Sequence, residues 1–163
     1  MRRFEHPKRQ LQEAPFMNAD YAFVVEFLAG NRAPAPVVST PLARLLNAQL
    51  IELDTTGKAV MSFEPPETYI QDTGLLQGGT LVVLLDLALA FAALAVLPPG
   101  RSCATASLTT NLLKPALPGK YIARATIDRL GSLVAFGSAV LHRADNNQTV
   151  AIATAVMPIG PSK

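Results

Sequence analysis

The sequence predicts an α+β fold in which an antiparallel sheet wraps around one long helix. Three observations carry this reading. First, Leu75 to Gly100 reads LLQGGTLVVLLDLALAFAALAVLPPG, and from Thr80 to Leu97 every position is apolar or small except Asp86. Second, strand-like segments follow that run through short turns: KYIARATIDRL, SLVAFGSAVLHRA and TVAIATAVMPI. Third, AQLIELD and KAVMSFEPP upstream flank Thr55-Thr56-Gly57 as the arms of a hairpin. A helix that is hydrophobic all round must be buried all round, and a curved sheet folded about it would do that.

Taken in order, residues 1–18 read as an N-terminal arm and 19–163 as one domain, a length that suits a single core. Asn18 or Asp20 caps a short helix through YAFVVEFLAG, where Phe23, Phe27 and Leu28 share a face and Gly30 ends it. NRAPAPVVSTP is too rich in proline for long regular structure, and LARLLN reads as a helical turn. The hairpin and the long helix come next. CATASLTTNLLKPAL reads as one strand stopped by Pro115 and Pro118-Gly119. KYIARATIDRL alternates Tyr121, Ala123, Ala125 and Ile127 against Ile122, Arg124, Thr126 and Asp128. Gly131-Ser132 and Asp145-Asn146-Asn147 supply turn chemistry for the last two connections.

Composition excludes several function classes. Half the residues are hydrophobic and 16% are charged, so part of the surface is expected to be covered by another subunit. With a net charge of +2, no clustered basic face and no tryptophan, the chain is not expected to bind nucleic acid. MRRFEHPKRQ resembles the start of an export signal, but no apolar segment follows it. One cysteine, Cys103, fits a reducing cytoplasm and reads as a small residue packed at the start of a strand. His6 falls in the arm and His142 in a strand, neither with a second soft ligand nearby, so no metal site is expected. A membrane span needs roughly 20 apolar residues. The run Thr80–Leu97 falls just short and carries a carboxylate at its centre, which is expensive in lipid, so no membrane is expected.

Asp86 is the informative residue. Burying an ionised carboxylate without partners costs several kcal/mol, and a core with no need of it would use Leu or Ala. At the start of the same helix, Gln77-Gly78-Gly79 lets a ligand approach the backbone closely. Unpaired N–H groups there carry partial positive charge, and aimed at a carbonyl oxygen they stabilise the charge that develops when a nucleophile adds.

GLLQGGTLVVLLDLALAFAA followed by TASLTTNLLKPALPG resembles the hotdog-fold acyl-CoA thioesterases of the PaaI type. That family shows N-x-x-G-x-x-H-G-G, then Leu-Asp on the helix, then a strand ending in a Pro-Ala and Gly turn. The spacing from Gln77 to Asp86 is the family's spacing from His to Asp. The resemblance covers roughly Phe23 to Pro158. It implies that the Gly78 N–H polarises the thioester carbonyl and that Asp86 activates water or attacks directly. It also implies that Thr105 helps hold the nucleophilic water, with Gln71 and Gly79 beside the substrate. These groups would meet across a dimer interface, in a homodimer or a homotetramer built as a dimer of dimers. No cofactor is implied, since coenzyme A is part of the substrate.

The departures are Gln77 in place of His and Gln71 in place of Asn. A second hotdog branch, with Glu as its carboxylate and Thr one turn later, fits worse, because those positions hold Asp86 and Ala90. No Ser-His-Asp triad is apparent. Some of Arg101, Lys114, Arg124, Arg129 and Arg143 are candidates for the coenzyme A phosphates. The alternative to a hydrolase is a hotdog protein that binds acyl-CoA or an acyl carrier without turnover. A dehydratase ranks last, because that chemistry uses a His base near the helix.

Overall fold

The computed structural model describes residues 18–30 and 33–161. The expected arm, with His6, lies outside them except for Asn18. That residue caps α1 (Ala19–Leu28): its side-chain oxygen accepts from the Asp20 and Tyr21 N–H groups at 3.1 and 3.2 Å. Of the two candidate caps, Asn18 is therefore the one used. Val24 and Phe27 are the buried residues of α1, and Phe23 lays its ring edge-on against Phe91, centroids 6.1 Å apart. The proline-rich loop contributes one two-residue strand, β1 (Ala35–Pro36), and then α2 (Pro41–Leu45), capped by Thr40.

The expected hairpin is β2 (Gln49–Leu53) and β3 (Lys58–Phe63). Asp54 closes it by accepting from the Thr56 N–H, the Thr56 hydroxyl and the Lys58 N–H. Gly57 sits at φ +87°, where a Cβ would come within 2.9 Å of Ile127 and 3.0 Å of Val96. A 3₁₀ turn, Glu67–Tyr69, leads to α3 (Gly78–Val96). This helix stops before Pro98 because the residue preceding a proline is pushed out of the helical region, and Leu97 is extended, with ψ 136°.

The chain then forms β4 (Arg101–Cys103), β5 (Ser107–Leu112), β6 (Tyr121–Leu130), β7 (Val134–Arg143) and β8 (Thr149–Pro161). The sheet is antiparallel in the order β1-β2-β3-β6-β7-β8, and β8 carries both β4 and β5 on its far side. What reads in sequence as one strand from Cys103 onward is thus two, separated by Ala104, Thr105 and Ala106. Both flanks of that break stay fastened to β8: the Ala104 N–H donates to Pro158 O at 3.3 Å and the Ala106 N–H to Val156 O at 2.9 Å.

The alternation read in β6 holds, with Tyr121, Ala123, Ala125 and Ile127 buried. The inner faces of β7 and β8 are built of small residues, including Ala135, Gly137, Ala139, Ala151, Ala153 and Ala155. This lets the leucine-rich side of α3 lie close to the sheet; a Cβ on Gly137 would meet Leu89 at 2.9 Å. Each fully buried leucine on that side contributes roughly 1.5–3 kcal/mol.

The expectation of burial all round is corrected. The sheet and α1 bury Leu81, Leu84, Leu85, Ala88, Leu89 and Ala92, among others. Val82, Val83, Asp86, Leu87 and Ala90 stay partly open, and Gly79 is exposed. By length and composition Gly78–Val96 passes as a membrane-crossing helix, yet it is the core helix that the sheet wraps.

Candidate active site

The first turn of α3 is held in place by the loop before it. Ile70 and Leu76 bridge, Gln71 N–H donates to Leu75 O at 2.8 Å, and Gln77 N–H donates to Tyr69 O at 2.9 Å. Leu76 N–H donates to Ala116 O at 2.8 Å, tying the loop to the chain beyond β5. Gln77 is the N-cap, with an exposed side chain that makes no capping hydrogen bond. The N–H groups of Gly78 and Gly79 therefore open the helix without intrahelical acceptors and sit at the positive end of its dipole. A Cβ on Gly78 would meet Leu112 Cδ1 at 2.8 Å, whereas one on Gly79 would enter open space.

Asp86 lies on the partly open stripe. The Thr105 hydroxyl donates to its Oδ1 at 2.7 Å. The strand break makes this contact possible, because Thr105 sits in the three residues released between β4 and β5 while their neighbours stay paired to β8. Cys103 is close enough for its thiol to feel the carboxylate. Burial pushes that thiol up from its ordinary 9.0, and the negative charge of Asp86 adds to the effect. Both effects favour the thiol over the thiolate.

Two cavities flank the helix start. One, of about 400 Å³, is lined by Gln71, Gly78, Leu81, Leu112, Lys114 and neighbouring residues. The other, of about 260 Å³, lies between α2 and α3, lined by Leu42, Leu46, Tyr69, Gln77, Gly79, Thr80 and Val83. Thr80 is 4% exposed, and its hydroxyl oxygen finds no hydrogen-bond partner among the described residues. A buried hydroxyl left so costs roughly 1–3 kcal/mol.

Gly78 and Asp86 are eight residues apart on one helix, or about 12 Å at 1.5 Å per residue. Within a single chain they do not converge on one atom.

Residues 73–150 match the model of the thioesterase superfamily. No curated protein matches the chain significantly. Among solved structures, it is similar to a phenylacetic acid degradation-related protein of Ralstonia eutropha JMP134, at 28% identity and TM-score 0.71, over 83% of this chain and 98% of that one. It is similar in fold to the PaaI protein of the E. coli phenylacetic acid degradation operon, at 20% identity and TM-score 0.69, over 89% and 97% of the two chains. The smu.793 protein of Streptococcus mutans, solved bound to acetyl-CoA, is 18% identical with TM-score 0.64, over 72% and 91%. The expected hotdog fold is the fold found, with one long helix inside an eight-stranded sheet.

Within this fold, the residues singled out from sequence fall into two groups. Gln77, Gly78 and Gly79 cluster at the helix start, with Gln71 on the adjoining loop, while Asp86 and Thr105 pair further along. Gln71 supports its own loop, donating its side-chain N–H to Leu76 O at 3.3 Å. Of the five basic candidates, Lys114 is the one that lines a cavity beside the helix start. Arg143 is committed elsewhere: it pairs with Asp145 at 2.6 Å and donates to Leu117 O at 3.1 Å. Sequence reasoning missed Thr80, because a threonine at the head of an apolar run carries no sign of whether its hydroxyl is satisfied. Among the described residues no three His, Cys, Asp or Glu side chains gather as a metal site would require.

Proposed function

We propose that the chain is an acyl-CoA thioesterase, hydrolysing the thioester to a free acid and CoA. The observation that carries the reading is the Thr105–Asp86 hydrogen bond: an otherwise apolar helix keeps one carboxylate, partly open, with a hydroxyl held against it. Asp86 acts as the base that takes a proton from water, and Thr105 fixes its orientation. The water oxygen bonds to the thioester carbon, and the carbonyl oxygen becomes an oxyanion facing the Gly78 N–H. Collapse breaks the carbon–sulfur bond, and the thiolate leaves as CoA with the proton Asp86 had taken. Gln77 orients the thioester or the water from the N-cap position. Resemblance to the PaaI-type pattern supports these roles, and the acetyl-CoA held by the S. mutans protein of the same fold supports a CoA ester as substrate.

Because Gly78 and Asp86 stand about 12 Å apart along their helix, the site is completed by two subunits, Gly78 of one facing the carboxylate of the other. The open stripe of α3 and the outer edge of β5, which pairs with no strand among the described residues, are the surfaces for that pairing, in a dimer or a dimer of dimers. Lys114, at the larger cavity, meets a coenzyme A phosphate. The reaction needs no cofactor, and the lone cysteine fits a cytoplasmic enzyme.

The test is release of free CoA thiol from short, medium, long and aromatic acyl-CoAs, with Asp86→Asn alongside. Turnover that the substitution lowers by about a hundredfold or more is expected for loss of a general base. Full activity in the variant, or an active monomer in sedimentation, would sink the assignment. Binding without turnover on any acyl-CoA would instead favour a non-catalytic acyl-CoA protein.

A further inference from the structure

We infer that Arg143 is a positioning residue for the start of α3, acting from the end of β7 through the backbone of the loop between β5 and β6. This rests on the thioesterase reading above, because the Gly78 N–H proposed to face the thioester oxygen lies at the end of the path. The loop leaves the sheet where the Leu113 and Lys114 N–H groups both donate to Val150 O. It rejoins where the Ala144 N–H donates to Lys120 O at 2.9 Å. Between those ends, among the described residues, two carbonyls carry its hydrogen bonds. Leu117 O accepts from Arg143 Nη1 at 3.1 Å and from the Tyr121 hydroxyl. Its neighbour Ala116 O accepts from the Leu76 N–H at 2.8 Å, and Leu76 stands two residues before Gly78.

The contacts ask for a guanidinium at this position. Arg143 Nε and Nη2 donate to the two carboxylate oxygens of Asp145 at 3.0 and 2.6 Å, which leaves Nη1 for the carbonyl. A planar fork makes all three contacts at once, and a lysine ammonium does not. The cation also lies 5.8 Å from the ring centre of Tyr121, its cross-strand neighbour, whose side chain is wholly buried. The Arg143 side chain is 12% exposed, so little of its donor surface is left for a phosphate at the outer end of coenzyme A. At the far end of the path, the helix start leans on the same loop. Gln77 makes no capping hydrogen bond, and the Gly78 backbone lies against Leu112, where an added Cβ would come within 2.8 Å of Cδ1. A loop that slackens carries the first N–H groups of α3 with it, and a misplacement of about 1 Å at a reacting centre costs up to about a hundredfold in rate.

The experiment compares wild type with Arg143→Met, Arg143→Lys, and Arg143→Met combined with Tyr121→Phe. Asp145 is 58% exposed, so removing the guanidinium strands no buried charge, and Asp145→Asn is a milder way to loosen the fork. Turnover is read as release of free thiol from an acyl-CoA and from the same acyl group on pantetheine, which lacks the phosphates. Deuterium exchange of the Leu76 amide is followed by NMR against the β3 amides, which report global unfolding. Arg143→Met should lower kcat about tenfold and the combined variant about a hundredfold, equally on both esters. Arg143→Lys should not restore kcat, and Leu76 should exchange faster relative to β3 in every Arg143 variant. Restoration by lysine, with the loss confined to the CoA ester, would make Arg143 a phosphate ligand and overturn the inference. Leu76 exchange that stays at the wild-type value relative to β3 overturns it whatever the turnover. If wild type releases no thiol from either ester but Leu76 exchange still depends on Arg143, the hydrolase reading fails and the link to the helix start stands.

Discussion

The two sides of α3 have nearly the same composition and opposite fates. Leu84, Leu85, Ala88 and Leu89 face an alanine-rich sheet and are wholly buried. Val82, Val83 and Ala90, equally apolar, are left partly open around Asp86. Packing therefore decides where a charge can be kept. A carboxylate facing the sheet would be sealed from water, whereas on the open side it can reach water and a hydroxyl from the strand break.

Substitutions on each side should separate stability from turnover. The largest effect is expected for Leu84→Ala, fully buried against the sheet: a loss of roughly 2–5 kcal/mol in urea unfolding, with little change in turnover per folded molecule. On the other side, Asp86→Asn should reverse this pattern, with a melting temperature near wild type and turnover lowered by about a hundredfold, some 2.7 kcal/mol of barrier. If Asp86→Asn unfolds the protein instead, the carboxylate belongs to the structure and the contrast between the two sides fails.

Thr105→Ala removes the one hydroxyl seen on Asp86 and should lower kcat roughly tenfold, with KM little changed. A variant as active as wild type would show that the contact does not serve turnover.

The smallest expected effect concerns pH. Cys103 in the folded protein holds its proton above the ordinary 9.0, through burial first and the Asp86 charge second. The unfolded chain therefore releases a proton that the folded chain keeps, so the stability tied to this group is full below 9.0 and is lost as pH rises above it. Melting curves taken from pH 8 to 10.5 should fall more steeply in wild type than in Cys103→Ala. In Asp86→Asn the thiol should alkylate faster, because a repelling charge is gone; an equal rate would place the two groups further apart than their coupling requires.

Much of the fold is legible in the sequence itself. The apolar run 80–97 marks the long helix, which spans Gly78–Val96, because a long apolar run and a Pro-Pro stop are strong local signals. The β6 alternation and the hairpin turn at Asp54–Gly57 follow from local rules in the same way. What stayed hidden depends on distant parts of the chain. The break at Thr105 interrupts an unremarkable strand pattern, and only the course of β8 decides where pairing pauses. Periodicity could not tell which side of α3 would stay open, since a helix apolar all round has no pattern to read. β1 exists because two residues of a proline-rich loop happen to lie beside β2. The Thr80 cavity needs α2, the 3₁₀ turn and α3 together, segments that no spacing rule joins.

The fastening of Thr105 bears on the order in which the chain can assemble its contact with Asp86. Ala104 and Ala106 hang on the carbonyls of Pro158 and Val156, both in β8, the last of the eight strands to be synthesised. The helix bearing Asp86 leaves the ribosome more than fifty residues earlier. Until β8 arrives, that carboxylate has no strand edge to hold its hydroxyl partner. A nascent chain can thus carry its core helix well before it can carry an ordered site, and assembly of the site marks completion of the sheet.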